Sequence, residues 1–287
     1  TMFASQDLPP DPAIVGEGWR QMWQDRMQAN TPWIMTWLAH QSRDDYWRQG
    51  SVCEDFSKIT IPVYAVSGWA DNYSEAVPRL LAGLKGPRLG LIGPWAHSFP
   101  HDVAVEPAIG WLQEVLRWCD HWLKGRDTGI MQEPMLRAWM QDYVPPQTCY
   151  LERKGRWVAE ETWPSPRIQP QRLALGARGQ LGGEWSGTVT ICSPLWVGLT
   201  AGEVGRYGQD ADWPTDQRED DGGSLVFVTE PLTEPLEILG APQLHLTLAS
   251  DKPHALVSVR VNDVAPNGAS TRVAIGHLNL CHRTGHD

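Results

Sequence analysis

The sequence predicts a chain of α/β plus all-β class in three parts: a helical segment over 1–55, a piece of parallel α/β sheet over 56–130, and a jelly-roll β sandwich over 131–287. Three observations predict it. Apolar residues recur at helical spacing before residue 55. Two short β-branched runs then alternate with two amphipathic stretches. After Gly125 the helical period is lost, and strand-like runs separated by Gly- and Pro-rich turns take over.

In the first part, Trp19, Met22, Trp23 and Met27 fall on one helical stripe, and a second helix follows Thr31-Pro32 with Trp33, Met35, Trp37 and Leu38. The aromatic density predicts core packing for most of these side chains. In the second part, ITIPVYAVS is a short strand with Pro62 near its start, where a strand tolerates proline. Residues 74–84 predict a helix with Ala76, Val77, Leu80, Leu81 and Leu84 on one face, stopped by Gly86-Pro87. RLGLIG is the second strand. Pro107 opens a helix whose expected inner face is Trp111, Leu112, Val115, Cys119, Trp122 and Leu123, closed by Lys124 and Gly125. Strand–helix–strand–helix at this spacing is a βαβα unit of a parallel sheet. In the third part the cleanest alternations are Leu244, Leu246, Leu248 and Val257, Val259, Val261. Such runs, divided by turns, predict a β sandwich, with the boundary near 125–134.

Composition narrows the function. The net charge is −10, from 24 basic and 34 acidic residues, with no basic stripe. Nucleic-acid affinity rests on neutralising phosphates, so that class of partner is not expected. No segment has the apolar length of a membrane span. The opening TMFASQDLPP has neither the basic nor the apolar region of a signal peptide and reads as internal sequence. The five cysteines, Cys53, Cys119, Cys149, Cys192 and Cys281, form no C-x-x-C pair, which argues against a disulfide framework and favours a reducing, cytoplasmic setting. His97 and His101 are four apart, but Pro100 lies between them in a loop and no Glu follows His97. The terminal Cys281, His282 and His286 read as a solvated tail. No metal site and no cofactor are expected.

Two loops carry the chemistry. GWADNY (68–73) follows the first strand and GPWAHS (93–98) follows the second, so Asp71 and His97 lie at the carboxyl ends of strands, where open α/β sheets build their sites. Neighbouring strands run about 4.8 Å apart, close enough for the two side chains to meet. Asp before His is the order of the last two members of a Ser…Asp…His triad. There the His takes and returns a proton, and the Asp fixes its tautomer. Two plainer readings stand beside this: Asp71 as a cap of the helix that follows it, and His97 as a loop histidine bonded to backbone.

The segment IPVYAVSGWADNYSEAVPRLLAGLKGPRLGLIGPWAHS resembles the cocaine esterase-like (CocE/NonD) hydrolases, relatives of the X-Pro dipeptidyl peptidases, whose signature is an apolar strand, GW-x-D-x-[YF] and then GPW-x-H. The resemblance continues through WLKG at 122–125, DQR at 216–218, TEPL at 229–232, GAP at 240–242, DVAPNGAS at 263–270 and GHLNLCHR at 276–283. It implies the C-terminal part of an α/β-hydrolase domain with a helical cap segment, followed by a C-terminally incomplete jelly-roll domain. It also implies Asp71 and His97 as catalytic acid and base, with Tyr73 and Trp69 at the substrate. The implied substrate is a small-molecule ester or amide, cleaved through an acyl-enzyme.

The family's G-x-S-x-x-G nucleophile elbow does not occur here. Ser67 lacks the preceding glycine, and Ser98 does not sit on a strand-to-helix turn. The nucleophile and oxyanion hole are therefore expected in a missing N-terminal part of the same polypeptide, and the chain alone is expected to be inactive. A peptidase would also need carboxylates for a substrate amine. Asp44 and Asp45 are candidates for that role, against a reading as exposed surface acids. The competing function is a non-catalytic binding or bracing module that uses the β-sandwich face. The sequence does not set the oligomeric state.

Overall fold

The computed structural model describes residues 8–203 and 213–283. The chain divides into two compact units, Thr1–Glu54 with Asn279–Asp287, and Asp55–Leu278.

The first unit is helical. After a helical turn at Pro12–Val15 come α1 (Trp19–Ala29), α2 (Trp33–Ala39) and the single turn α3 (Asp45–Arg48). Pro32 separates α1 from α2, as its fixed φ and missing N–H require. The tryptophans do not form a core here. No residue of α1 or α2 is buried, and Trp33 and Met35 are 52% and 65% exposed. The rings pair with near neighbours instead: Trp19 stacks on Trp23 at 6.3 Å, and Trp37 meets Trp47 edge-on at 5.8 Å. Helices of 11 and 7 residues have too little apolar area to enclose an indole.

The second unit begins with the expected strand–helix alternation: β1 (Val63–Gly68), α4 (Ala76–Gly83), β2 (Arg88–Gly93) and α5 (Trp111–Lys124). Two further strands, β3 (Leu136–Gln141) and β4 (Gly155–Glu160), complete a four-stranded sheet of order β1-β2-β3-β4. β1, β2 and β3 run parallel, and β4 is antiparallel to β3. The sheet therefore runs across residue 130. β3 and β4 were expected in the β domain; they add to the edge of β2 because Met135–Ala138 is apolar on the face that α4 covers.

Strand register sorts the side chains. Ala65, Ile92, Leu136 and Ala138 face α4 and pack with Val77 and Leu81. Gly90 is required there, since a Cβ would lie 2.6 Å from Leu81 and 3.0 Å from Val77. The opposite face carries Tyr64, Leu91, Arg137 and Trp139. α5 meets it with Trp111 and Trp118, both about 5.5 Å from the Tyr64 ring, and with Glu114, which accepts from Arg137. Leu112 and Leu123, expected on the inner face of α5, are 60% and 79% exposed. The sheet presents a phenol and a guanidinium, and the helix turns its aromatic and acidic positions toward them. Gly125 ends α5 in the left-handed conformation, as expected.

Farther along, a single turn α6 (Arg218–Asp221) precedes β5 (Leu256–Val264) and β6 (Ser270–Asn279), which form a two-stranded sheet. Gly268, at φ 82°, shapes the turn between them. A polar network holds this region. Arg260 bridges Asp220 and Asp221, each at 2.9 Å, and Ser270 donates to Asp221. Between 161 and 255 the described residues make isolated bridges, Leu175 with Leu181 and Gln180 with Val228, and no strand. Leu244, Leu246 and Leu248 alternate as the sequence suggests, but without a ladder partner among the described residues. His286, named in the terminal Cys281, His282 and His286 group, lies outside the described residues.

Candidate active site

β1 and β2 end level, with Gly68 opposite Gly93. The backbone joins the two loops that follow. Trp69 N–H donates to the Gly93 carbonyl at 2.9 Å and Ala70 N–H to the Trp95 carbonyl at 3.0 Å. The approach is so close that a Cβ on Gly68 would sit 1.9 Å from the Trp95 oxygen, which fixes glycine at that position. The Trp69 indole donates to the Trp139 carbonyl at 2.7 Å, tying the loop to β3. Trp95 is 1% exposed and donates to the Pro107 carbonyl at 2.8 Å.

This frame brings Asp71 and His97 together: Asp71 Oδ2 lies 2.9 Å from His97 Nδ1. The two side chains are 9% and 41% exposed, so the acid is sheltered and the imidazole opens outward. The other carboxylate oxygen, Oδ1, accepts from Tyr73 N–H at 3.0 Å. The plainer reading of Asp71 as a helix cap does not hold: α4 begins at Ala76 with Glu75 at its N-cap and no side-chain cap, and Oδ1 closes a turn within the loop instead. Tyr73 meets the His97 ring edge-on at 5.9 Å and is 62% exposed. Trp69 is committed to the β3 carbonyl and packs against the apolar core, so of the two expected substrate contacts Tyr73 is the more open. Ser67 Oγ is buried with no hydrogen-bond partner among the described residues.

A second His–Asp pair exists that the sequence reading missed. His40 Nδ1 lies 2.5 Å from Asp44 Oδ2, one helical turn away, and stacks on Tyr46. That hydrogen bond holds the Asp44 carboxyl below its ordinary range. Asp44 also caps Tyr46 N–H, while the Asp45 side chain is fully exposed. A His–Asp contact alone therefore does not define a site. The Asp71–His97 pair is set apart by its place at the mouth of a parallel sheet, assembled from two strands.

A cavity of about 270 Å³ lies on the α5 face of the sheet, lined by Leu91, Ile109, Gly110, Glu114, Arg137 and Trp157. Its charges neutralise one another: Glu114 takes hydrogen bonds from Arg117 and Arg137, and burial pushes the neighbouring Tyr64 phenol to about 12. No group of three or more His, Cys, Asp or Glu suited to a metal occurs among the described residues. None of their helices is long and apolar enough to cross a membrane.

Residues 128–287, more than half of the chain, match the X-Pro dipeptidyl-peptidase C-terminal non-catalytic domain. Residues 4–99 match the X-Pro dipeptidyl-peptidase S15 family. The chain belongs to the CocE/NonD and X-Pro dipeptidyl-peptidase family. Both Asp71 and His97 fall inside the S15 match. Among relatives in the family, a Mycobacterium bovis protein named as a candidate serine esterase is 29% identical over 259 residues, covering 84% of this chain and 38% of its own length. Cocaine esterase of Rhodococcus is 22% identical over 280 residues, covering 88% and 47%. A CocE/NonD family hydrolase from Staphylococcus aureus, known by crystal structure, aligns over 58% of this chain and 29% of its own at 17% identity, with a TM-score of 0.40. The chain spans about a third to a half of the length of the curated relatives it matches.

Proposed function

We propose that this chain carries the acid and base of a serine hydrolase that cleaves an ester or amide. The observation that carries the reading is the 2.9 Å contact between Asp71 and His97 at the carboxyl ends of neighbouring parallel strands. With Nδ1–H donated to the Asp71 carboxylate, the lone pair of His97 rests on Nε2. That nitrogen takes the proton of a serine hydroxyl as its oxygen attacks the substrate carbonyl, then delivers it to the departing alcohol or amine. Water repeats the sequence and frees the acyl group. Asp71 holds the tautomer and stabilises the imidazolium. The route needs no metal or organic cofactor.

The serine and oxyanion hole belong to an upstream part of a longer polypeptide. Among the described residues β1 pairs only with β2, so the sheet is open at that edge. A further parallel strand there would end about 4.8 Å to the side of β1, next to Asp71, where a nucleophile elbow is needed. Tyr73, edge-on to His97, lines the substrate pocket. Of the jelly roll expected over 131–287, the described residues after 160 supply the β5–β6 sheet and isolated bridges. The substrate is an acyl ester, an acylated amine or an X-Pro peptide, and the relatives' names cover the first and the last of these. The matched domain's description as non-catalytic favours a bracing role for residues 131–287 within that enzyme.

The test uses the longer polypeptide. A serine-directed phosphonate is expected to label one serine upstream of Thr1, and His97→Ala to abolish both labelling and turnover. Asp71→Asn should lower kcat roughly 10⁴-fold, as in other triads. The 287-residue chain alone should take no label. Stoichiometric labelling at Ser67 or Ser98 would overturn the assignment.

A further inference from the structure

We propose that Trp95 is a positioning residue for His97, acting through both its main chain and its indole. The inference rests on the Asp71–His97 reading above. Trp95 lies two residues before His97, and each of its polar contacts reaches a different element. Its carbonyl accepts from Ala70, one residue before Asp71, at 3.0 Å. Its indole N–H donates to the carbonyl of Pro107, in the segment that leads into α5, at 2.8 Å. Two glycines make the space. A Cβ on Gly68 would strike the Trp95 backbone at 1.9 Å, and one on Gly93 would strike its ring at 2.5 Å. Trp157 of β4 packs against the ring from the sheet, with centroids 6.2 Å apart.

The chain of cause is short. The loop 93–97 is covalently continuous with the sheet at its start, through β2, and Trp95 makes its contacts farther along. A side chain four residues farther on needs a second anchor to hold a hydrogen bond across to another loop. The buried indole supplies that anchor, because an indole N–H that has left water must keep its acceptor. Pro107 thereby fixes the plane of the Trp95 ring. The ring fixes the Trp95 carbonyl, and the carbonyl sets the spacing between the Asp71 loop and the His97 loop. Displacements of about 1 Å at such a site are enough to cost two orders of magnitude in rate.

The test reads His97 directly in the 287-residue chain, without turnover. With ¹⁵N-labelled histidine, the nine imidazoles give separate correlation patterns, and His97→Ala assigns the one that matters. The wild type is expected to show His97 as the Nδ1–H tautomer with a downfield Nδ1–H proton. Trp95→Phe, which keeps a ring but removes the N–H, should shift His97 toward the Nε2–H tautomer of a free imidazole and lose the downfield signal. The β1 and β2 amides should keep their protection from exchange. Trp157→Phe removes packing from the same ring and should leave His97 unchanged. If Trp95→Phe also disturbs β1 and β2, replacing Trp95 with β-(3-benzothienyl)alanine, isosteric and without the N–H, decides the matter. Retention of the wild-type His97 pattern in that analogue, alongside its loss in Asp71→Asn, overturns the role of Trp95. Retention of the pattern in Asp71→Asn overturns the Asp71–His97 reading instead.

Discussion

Leu81 and Asp220 are both fully withdrawn from solvent, and their surroundings have nothing in common. Leu81 sits among Val77, Ala65, Ile92, Leu136 and Ala138, where the parallel strands meet α4. Asp220 sits among donors: Gly198 N–H at 2.9 Å, the Thr200 hydroxyl at 2.6 Å and the Arg260 guanidinium at 2.9 Å. Its neighbour Asp221 takes Arg260, Asn262 and Ser270. The first region is held by excluded apolar area, which tolerates small shifts. The second is held by directional bonds to charges, where losing one partner strands the others. Strand-like sequence became a broad sheet only in the first region, where helices cover both faces.

The two regions should therefore fail separately, and native-state hydrogen exchange resolves them. The largest effect is expected for Arg260→Met. Removing one partner of a buried pair leaves Asp220 charged and dry, at a cost of about 3–5 kcal/mol. Protection should collapse in β5 and β6 and stay intact in β1 and β2. A global loss would show that the regions are one cooperative unit. Leu81→Ala reverses the pattern. A buried leucine truncated in a packed core costs about 2–5 kcal/mol, read as lost protection in β1, β2 and α4 with β5 and β6 spared.

Acid sharpens the contrast. The Arg218 hydrogen bond, aided by the Arg218 and Ser270 backbone N–H groups, holds the Asp216 carboxyl below its ordinary value of 3.8. A carboxyl lowered in the folded state binds fewer protons there than when unfolded. Its contribution is complete above 3.8 and is lost as pH falls through the lowered folded value. Glu160 on β4 is lowered in the same sense by Arg167. On titration from pH 5 to about 2, β5–β6 and the β4 end should lose protection before β1 and β2 do. The smallest effect is expected for Arg79→Ala on α4. Its pair with Glu75 at 3.3 Å is two-thirds exposed on both sides, so thermal unfolding should shift by no more than about 0.5 kcal/mol equivalent.

The sequence was most informative where one short segment contains its own partners. β1, α4 and β2 occupy a single stretch, and the loops GWAD and GPWAH follow directly from it. Their glycines were visible, but the reason for Gly68 was not, because the atom it makes room for is a main-chain oxygen 27 positions later. What depended on distant partners was harder to read. MLRAWMQ looks like any alternating strand, and only the open edge of β2 decides that it joins the α/β sheet. The face of α5 was misjudged because leucine was weighed above Glu114, whose burial depends on Arg137 waiting on β3. The pair of His40 and Asp44 is visible in the sequence only as an i, i+4 spacing, and no strand end or motif beside it marks it out.

The two oxygens of Asp71 serve different clients, the Tyr73 amide and the His97 ring. That sharing makes the Tyr73 amide proton a built-in gauge of the acid. Whenever the carboxylate swings out of line with the imidazole, the same rotation uncovers the amide, and its deuterium uptake quickens. An ordinary backbone exchange experiment thus reads the fraction of time the pair is aligned. It needs no substrate and no label on the histidine.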